Sequence, residues 1–209
     1  MWSVRKIGSE EHGLAVDDGA GGDPVKRLPQ PRGDGNAPHR AARSLAAVQA
    51  MPTLQKRRAI LAGAQLLLGD RYVWGGRSPQ RVDAADQVTG VDCSGLINLV
   101  YRTVGMIIPR DAHEQFLRAK PVNALQPADL IFLSERDNPE RIVHVMLYAG
   151  EGELIEGPGT GTSVRRVSVS ARLGKTLDWI APGVVVDGQT VLFGTYLPNA
   201  RDTKPSGGR

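Results

Sequence analysis

Residues 92–105 of this 209-residue chain read Asp-Cys-Ser-Gly-Leu-Ile-Asn-Leu-Val-Tyr-Arg-Thr-Val-Gly. Leucine and valine recur at helical spacing after Gly95, and Gly105 is a typical terminator, so the stretch predicts a helix. Asp92 is a favourable N-cap residue, which places Cys93 in the first turn. A cysteine reacts as its thiolate, and the unpaired amides and dipole of a helix start favour that charged form. The stretch therefore predicts a nucleophilic cysteine at a helix N-terminus.

Cys93 is the only cysteine in the sequence, which excludes an intramolecular disulfide and a cysteine-based metal cluster. A lone cysteine is often just a small buried hydrophobe. A structural cysteine gains nothing from lying between Asp92, Ser94 and Gly95, so the reactive interpretation is favoured. The backbone amide of Cys93 is also suited to binding an oxyanion. We expect no metal and no other cofactor.

A nucleophilic cysteine needs a base, and the sequence contains four histidines. Two of them lie in a leader rich in glycine and proline and are set aside. His113 falls on a short predicted helix at residues 111–119 and is interpreted as a surface residue. His144 lies in an alternating run, residues 143–148, where a polar, titratable side chain needs a partner. A structural histidine is the alternative, but pairing with Cys93 favours His144 as the general base.

Glu156 is the nearest candidate to orient the imidazole of His144. In a hairpin whose loop is residues 149–151, Tyr148 faces Gly152 and His144 faces Glu156. The carboxylate then accepts a hydrogen bond from the ring. A change of one residue in loop length would turn Glu156 to the opposite face, where it would be a solvent-facing glutamate.

The remaining pattern places helices first and strands second. Strands are predicted at residues 130–133, 143–148, 154–156 and 164–169, and as a hairpin that joins 184–186 to 191–196 through Asp187-Gly188. An apolar stripe at helical spacing predicts a further helix, which Thr53 could cap and which ends at Gly69. This order predicts an α+β domain over residues 51–198, with N-terminal helices packed on a central antiparallel sheet. The composition of residues 1–50 predicts a poorly ordered or partial accessory leader, and residues 199–209 read as a flexible tail.

Five short motifs occur in order between about residue 55 and about residue 170. They are Tyr72-x-Trp74-Gly75-Gly76, Asp92-Cys93-Ser94-Gly95-Leu96, Pro109-Arg110 with Gln115, Leu125-Gln126-Pro127-Ala128-Asp129-Leu130, and His144-Val145-x-x-Tyr148 with Gly150. Together they resemble the NlpC/p60 family of papain-like cell-wall peptidases. The resemblance implies a compact papain-like core in which the cysteine at a helix start faces a sheet that carries the histidine. It also implies hydrolysis of the γ-D-glutamyl–diamino acid bond in peptidoglycan stem peptides or muropeptides.

The resemblance also implies a substrate-binding set. In family members that recognise a free N-terminal L-alanine, the positions matching Tyr72, Asp92 and Ser94 hold the substrate's amine. A carboxylate and two hydroxyls are suitable acceptors for an ammonium group. Arg110 is either a structural residue or a groove residue, and no role is assigned to it.

Two residues depart from the family pattern. The third catalytic position is usually His, Asn or Gln, whereas this sequence has Glu156. Its charge is expected to raise the pKa of His144 and to favour a thiolate–imidazolium pair. The usual glycine before Asp129 is Ala128, so a differently shaped turn is expected there.

Two other functions stay open. One is an amidase or acyltransferase on the same scaffold, and the other is a wall-binding or regulatory module without turnover, which the unusual Glu156 motivates.

The bulk composition limits partners and location. The formal net charge of +4 is spread along the chain, without a block of lysine and arginine interleaved with aromatics, so nucleic-acid binding is not expected. No apolar run approaches the length of a membrane span, and the first thirty residues lack the apolar core of a signal peptide. We expect either a cytoplasmic protein that recycles wall fragments, or one exported with its leader missing or by another route.

Overall fold

The computed structural model describes residues 46–81 and 88–198, so the predicted tail and most of the predicted leader lie outside the described residues. The helices are α1 (Thr53–Gln65), α2 (Cys93–Arg102), α3 (Ala112–Arg118) and α4 (Val169–Leu173), with a 3-10 helix at Leu177–Trp179. The strands are β1 (Lys120–Pro121), β2 (Leu130–Glu135), β3 (Asn138–Gly150), β4 (Glu153–Glu156), β5 (Arg165–Ser168), β6 (Val185–Val186) and β7 (Gln189–Thr195). No helix in these two ranges is long and apolar enough to cross a membrane.

The strands form one antiparallel sheet in the order β1-β7-β2-β3-β4-β5, with β6 paired to β7. The predicted hairpin joins β6 to β7, and its turn residues Asp187 and Gly188 have positive φ angles of 49° and 76°. Such angles are typical of the two-residue turns that fit the twist of a hairpin. The predicted α+β fold with helices on an antiparallel sheet is confirmed.

Apolar side chains cover both faces of the sheet, because alternate residues of a strand point in opposite directions. Leu130 and Phe132 of β2 pack in a cluster with α1 and α2, whereas Ile131 and Leu133 belong to a second cluster with α4. Fully burying one such side chain contributes roughly 2 kcal/mol. Helix α2, which begins at Cys93, is thereby packed on the sheet that carries the histidine.

The boundaries of α1 differ from the predicted ones. Thr53 is the first residue of the helix rather than its cap, because Pro52 occupies the N-cap position without a side-chain hydrogen bond. The helix ends at Gln65 and gives way to turns before Gly69. Gly69 has a φ of 89°, and its amide donates to the carbonyl of Val164, just before β5. This contact replaces the hydrogen bond that the amide would make within a helix.

The hairpin between β3 and β4 has a shorter loop than predicted. Glu151 and Gly152, with φ angles of 54° and 73°, form a two-residue turn, and Tyr148 lies opposite Leu154 instead of Gly152. The predicted register is therefore wrong by two residues. An even shift leaves every side chain on its predicted face, so Glu156 still shares a face with His144 and approaches it diagonally across the strands.

A buried ion pair fixes the turn that leads into β2. Nη1 of Arg57, on α1, donates to Oδ1 of Asp129 at 2.8 Å and to the carbonyl of Pro127 at 2.7 Å. The Tyr101 hydroxyl, on α2, donates to the carbonyl of Ala128 at 2.7 Å. Ala128 itself has a φ of 70°, in the region that favours glycine. The alanine therefore adopts the left-handed conformation that glycine adopts more readily, and contacts from two helices hold it there.

Replacing Arg57 by methionine is expected to lower the free energy of unfolding by about 3 kcal/mol, because the Asp129 carboxylate would remain buried without its counter-charge. The neighbouring Arg58 is exposed. Arg58→Met is the matched control and should change stability by less than about 0.5 kcal/mol. Urea denaturation of both variants measures the difference, and equal effects would contradict a structural role for the pair.

Candidate active site

Cys93 occupies the first position of α2, directly after its cap. The Asp92 side chain accepts a hydrogen bond from the amide of Gly95 at 2.6 Å, which confirms Asp92 as the N-cap. The amide of a first-turn residue has no acceptor within its own helix, so the Cys93 N–H is available at the helix start. The residue is 7% exposed and opens onto a surface cavity.

The Asp92 carboxylate also links the helix start to two other segments of the site. Its Oδ2 accepts from the amide of Gly75 at 3.0 Å, and Oδ1 accepts from the Ser94 hydroxyl at 3.2 Å. Arg110 binds both oxygens, at 2.9 Å and 2.7 Å, and donates further to Ser94 Oγ and to the carbonyl of Gly76. Arg110 thus joins the predicted site residues as their counter-charge, a role that the Pro109-Arg110 motif left open.

Gly95 allows the loop after Tyr72 to lie against α2. A Cβ atom on Gly95 would come 2.1 Å from the Gly76 carbonyl oxygen, which no side chain can tolerate. The same carbonyl accepts from the amide of Asp92 at 3.1 Å. The close approach of these backbones is what brings the loop to the helix start.

His144 and Glu156 form a buried pair beside Cys93. The His144 Nε2 atom lies 2.8 Å from Oε2 of Glu156. Since Nε2 is engaged there, Nδ1 is the ring nitrogen left to interact with the Cys93 side chain, which acts electrostatically on the ring. The three predicted catalytic side chains therefore lie together, in the order nucleophile, base and orienting group.

Two arginines that the sequence did not reveal hold the far side of Glu156. Arg165, on β5, donates from Nη2 and Nε to Oε1 at 2.7 and 3.1 Å. Arg172, on α4, donates from Nε to both carboxylate oxygens, at 3.1 and 2.9 Å. The Glu156 side chain is fully buried, so its charge needs such partners.

The electrostatics of the pair favour its charged form. Burial lowers the pKa of His144, but hydrogen bonds to Cys93 and Glu156, together with their negative charges, outweigh it and raise the pKa to about 9. Burial raises the pKa of Glu156, but its bond to His144 and the charges of His144, Arg165 and Arg172 lower the pKa to about 2. At neutral pH the imidazole is thus protonated and the carboxylate ionised.

A cavity of about 940 Å³ opens in front of Cys93. Tyr72, Asp92 and Ser94 line it, as the substrate-binding prediction requires of them. Burial, followed by the charges of Cys93 and Asp92, raises the pKa of Tyr72 to about 12, so its hydroxyl stays protonated. The opposite charge of Arg110 works against this rise.

His113 is not the simple surface residue that its helical turn suggested. It lines the cavity, and its Nδ1 accepts a hydrogen bond from the amide of Ile142, on β3, at 3.3 Å. No local pattern signals this contact, because α3 and β3 are distant in sequence and meet only in the folded domain.

A match to a known family covers the residues of this site. A family model described as the NlpC/P60 family matches residues 69–178, more than half of the chain. The chain belongs to the NlpC/P60 family. The matched segment contains Tyr72, Asp92, Cys93, Ser94, His144 and Glu156. The resemblance drawn from the sequence motifs is confirmed.

Two curated relatives of this NlpC/P60 domain are peptidases. The γ-D-glutamyl-L-lysine dipeptidyl-peptidase of Bacillus subtilis is 32% identical over 113 residues, which cover 53% of this chain and 35% of that protein. Peptidoglycan endopeptidase RipB of Mycobacterium tuberculosis is 36% identical over 109 residues, which cover 49% of this chain and 43% of RipB. The chain thus spans less than half the length of these curated relatives.

A solved structure agrees with the fold. The crystal structure of an NlpC/P60 family protein from Bacillus cereus has a TM-score of 0.53 and 27% sequence identity to this chain. The alignment covers 68% of this chain and 40% of that one.

The pKa of His144 generates a pH-dependent prediction. It is about 9 in the folded protein, above the ordinary value of 6.5. The stability contributed by the imidazolium is therefore fully present below pH 6.5 and is lost as the pH rises through about 9.

Cys93→Ala should lower the pKa of His144, because it removes one hydrogen bond and one negative charge. NMR titration of the ring protons, assigned with His144→Gln, measures the change, and an unaltered pKa in Cys93→Ala would contradict the Cys93–His144 interaction.

Proposed function

We propose that this NlpC/P60 domain is a cysteine endopeptidase that hydrolyses the γ-D-glutamyl–diamino acid bond of peptidoglycan stem peptides. The observation that carries the proposal is the series of contacts from Cys93, at the start of a helix, to His144 and on to the buried Glu156. This arrangement has the parts that acyl transfer through a thiol requires. The Bacillus subtilis relative is a γ-D-glutamyl-L-lysine dipeptidyl-peptidase, which supports the choice of bond.

The reaction follows from the positions of these groups. The Cys93 thiolate attacks the γ-carbonyl carbon, and the charge that develops on the oxygen is bound by the Cys93 N–H at the helix start. The carbon–nitrogen bond then breaks as protonated His144 gives its proton to the leaving amine of the diamino acid. Neutral His144 next takes a proton from water, the hydroxide attacks the thioester, and the thiolate–imidazolium pair is restored with release of the glutamyl carboxylate.

Tyr72, Asp92 and Ser94 are proposed to receive the substrate's N-terminal amine. All three line the cavity beside Cys93 and offer oxygen acceptors. An ammonium group bound there shares the Asp92 carboxylate with Arg110, which already engages both oxygens. The hydroxyls of Tyr72 and Ser94 consequently matter more to amine binding than they would beside an unpaired carboxylate.

Cys93→Ala and His144→Ala are each expected to lower muropeptide cleavage by roughly a thousandfold or more, because the residues act as one unit. Arg118→Ala, at an exposed position away from the cavity, is the control and should retain wild-type activity. Circular dichroism checks that each variant is folded. Turnover by Cys93→Ala would overturn the proposed mechanism.

Mass spectrometry of the products tests which bond is cut. The proposed activity creates a new γ-D-glutamyl carboxyl terminus and a new amine on the diamino acid. New termini at the lactyl–L-alanine bond, or an acyl group transferred to an amine, would instead identify the amidase or acyltransferase alternative. Saturable binding of the stem peptide without any cleavage would identify a binding module.

Tyr72→Phe tests the amine-binding set, because it removes only a hydroxyl. We expect KM for a stem peptide with a free N-terminal amine to rise roughly tenfold, the usual effect of losing one hydrogen bond to a charged group. KM for the same peptide carrying an N-acetyl group should change little. Steady-state kinetics on the two peptides provide the comparison, and an equal change in both KM values would rule out recognition of the amine by Tyr72.

A further inference from the structure

Glu156 differs from an ordinary orienting group because it is a carboxylate surrounded by two arginines. Its Oε2 meets His144, while Arg165 and Arg172 supply the remaining hydrogen bonds. Arg172 binds both carboxylate oxygens, so it contacts the same oxygen that faces the imidazole. The two guanidinium groups together carry more positive charge than the carboxylate carries negative charge.

The two arginines that contact Glu156 come from elements other than the strand that carries it. Arg165 lies on β5, the strand beside β4, and Arg172 lies on the short helix that follows β5. The Arg165 side chain is 49% exposed and the Arg172 side chain is 24% exposed, whereas the Glu156 side chain is 0% exposed. The arginines thus lie between solvent and a buried carboxylate.

We propose that Arg165 and Arg172 are positioning residues of the reaction, which lock Glu156 in its buried rotamer and offset part of its charge, so that Glu156 orients His144 while its attraction for the imidazolium proton is reduced. This inference rests on the proposed cysteine-peptidase function. An unpaired carboxylate at Glu156 would hold the proton on His144 too strongly for release to a leaving amine. The arginines reduce that attraction without removing the hydrogen bond.

The charged surroundings of His144 come from several elements. Cys93 faces it from α2 and Glu156 from β4, while β2 places the apolar Leu133 opposite it. The arginines of β5 and α4 reach it through Glu156. The other titratable groups of the site, which lie at the cavity, are Tyr72, Arg77, Asp92, Arg110, Asp111, His113, Glu140 and Arg141.

The test measures alkylation of Cys93 by iodoacetamide as a function of pH, together with NMR titration of His144. Arg172→Met should move the midpoint of the alkylation profile and the titration of His144 upward by about one pH unit, because a positive charge is lost beside the pair. Arg165→Met should shift both in the same direction by less, since that side chain is more exposed. Arg172→Lys keeps the charge and should stay close to wild type.

Arg166→Met is the matched control, because Arg166 is the next residue on β5 but pairs with Glu153 at 3.6 Å instead of Glu156. It should shift neither readout. The proposal is overturned if folded Arg172→Met and Arg165→Met keep the wild-type profile, if Arg166→Met shifts it equally, or if Arg172→Lys shifts it as much as Arg172→Met. If Arg172→Met does not fold, Arg165→Met, which retains Arg172, decides the question.

Neither readout uses a peptidoglycan substrate, so the two proposals fail separately. The expected shifts in the arginine variants, combined with no muropeptide cleavage by the wild-type protein, would overturn the proposed function and leave the arrangement of charges intact. Normal muropeptide cleavage with unshifted profiles would overturn only the role of the arginines.

Discussion

The Asp92 carboxylate is the contact on which the geometry of the site depends. It caps the helix that begins at Cys93, holds the amide of Gly75, and pairs with Arg110. The alignment of the loop after Tyr72, the helix start and the segment before α3 depends on more than the apolar core, to which Val91, Leu96 and Ile108 contribute. One buried carboxylate with donors from each segment supplies that alignment, because hydrogen bonds restrict both distance and angle.

Pairing with arginine recurs at each buried acidic residue in the described part of the chain. Asp92, Asp129 and Glu156 are the buried acidic residues there, and each is paired with at least one arginine. A planar guanidinium fork satisfies two acceptor positions at once and stays charged, which a lysine does less well. The three pairs have different consequences. The pair at Asp129 fixes a turn, the pair at Asp92 sets the helix start, and the pair at Glu156 adjusts the charge that His144 experiences.

Much of the site could be predicted from local patterns. The cap and first-turn position of Cys93 follow from four consecutive residues, and the strand that carries His144 follows from its alternation. Even the misjudged loop before β4 kept Glu156 on the correct face, because strand faces depend only on whether a shift is odd or even. His113 escaped prediction, since its partner Ile142 lies on a strand that α3 meets only after folding.

The sequence by itself determined the identity of the reactive groups and the elements that carry them, because capping and strand periodicity act over a few neighbouring residues. Only the tertiary structure decided which counter-charges surround those groups. Glu156 reads as an unusual orienting residue in the sequence, and its meaning depends on Arg165 and Arg172, which reach it from other elements. Electrostatic interactions depend on distance in space and on burial, and neither quantity is encoded in the spacing of residues along the chain.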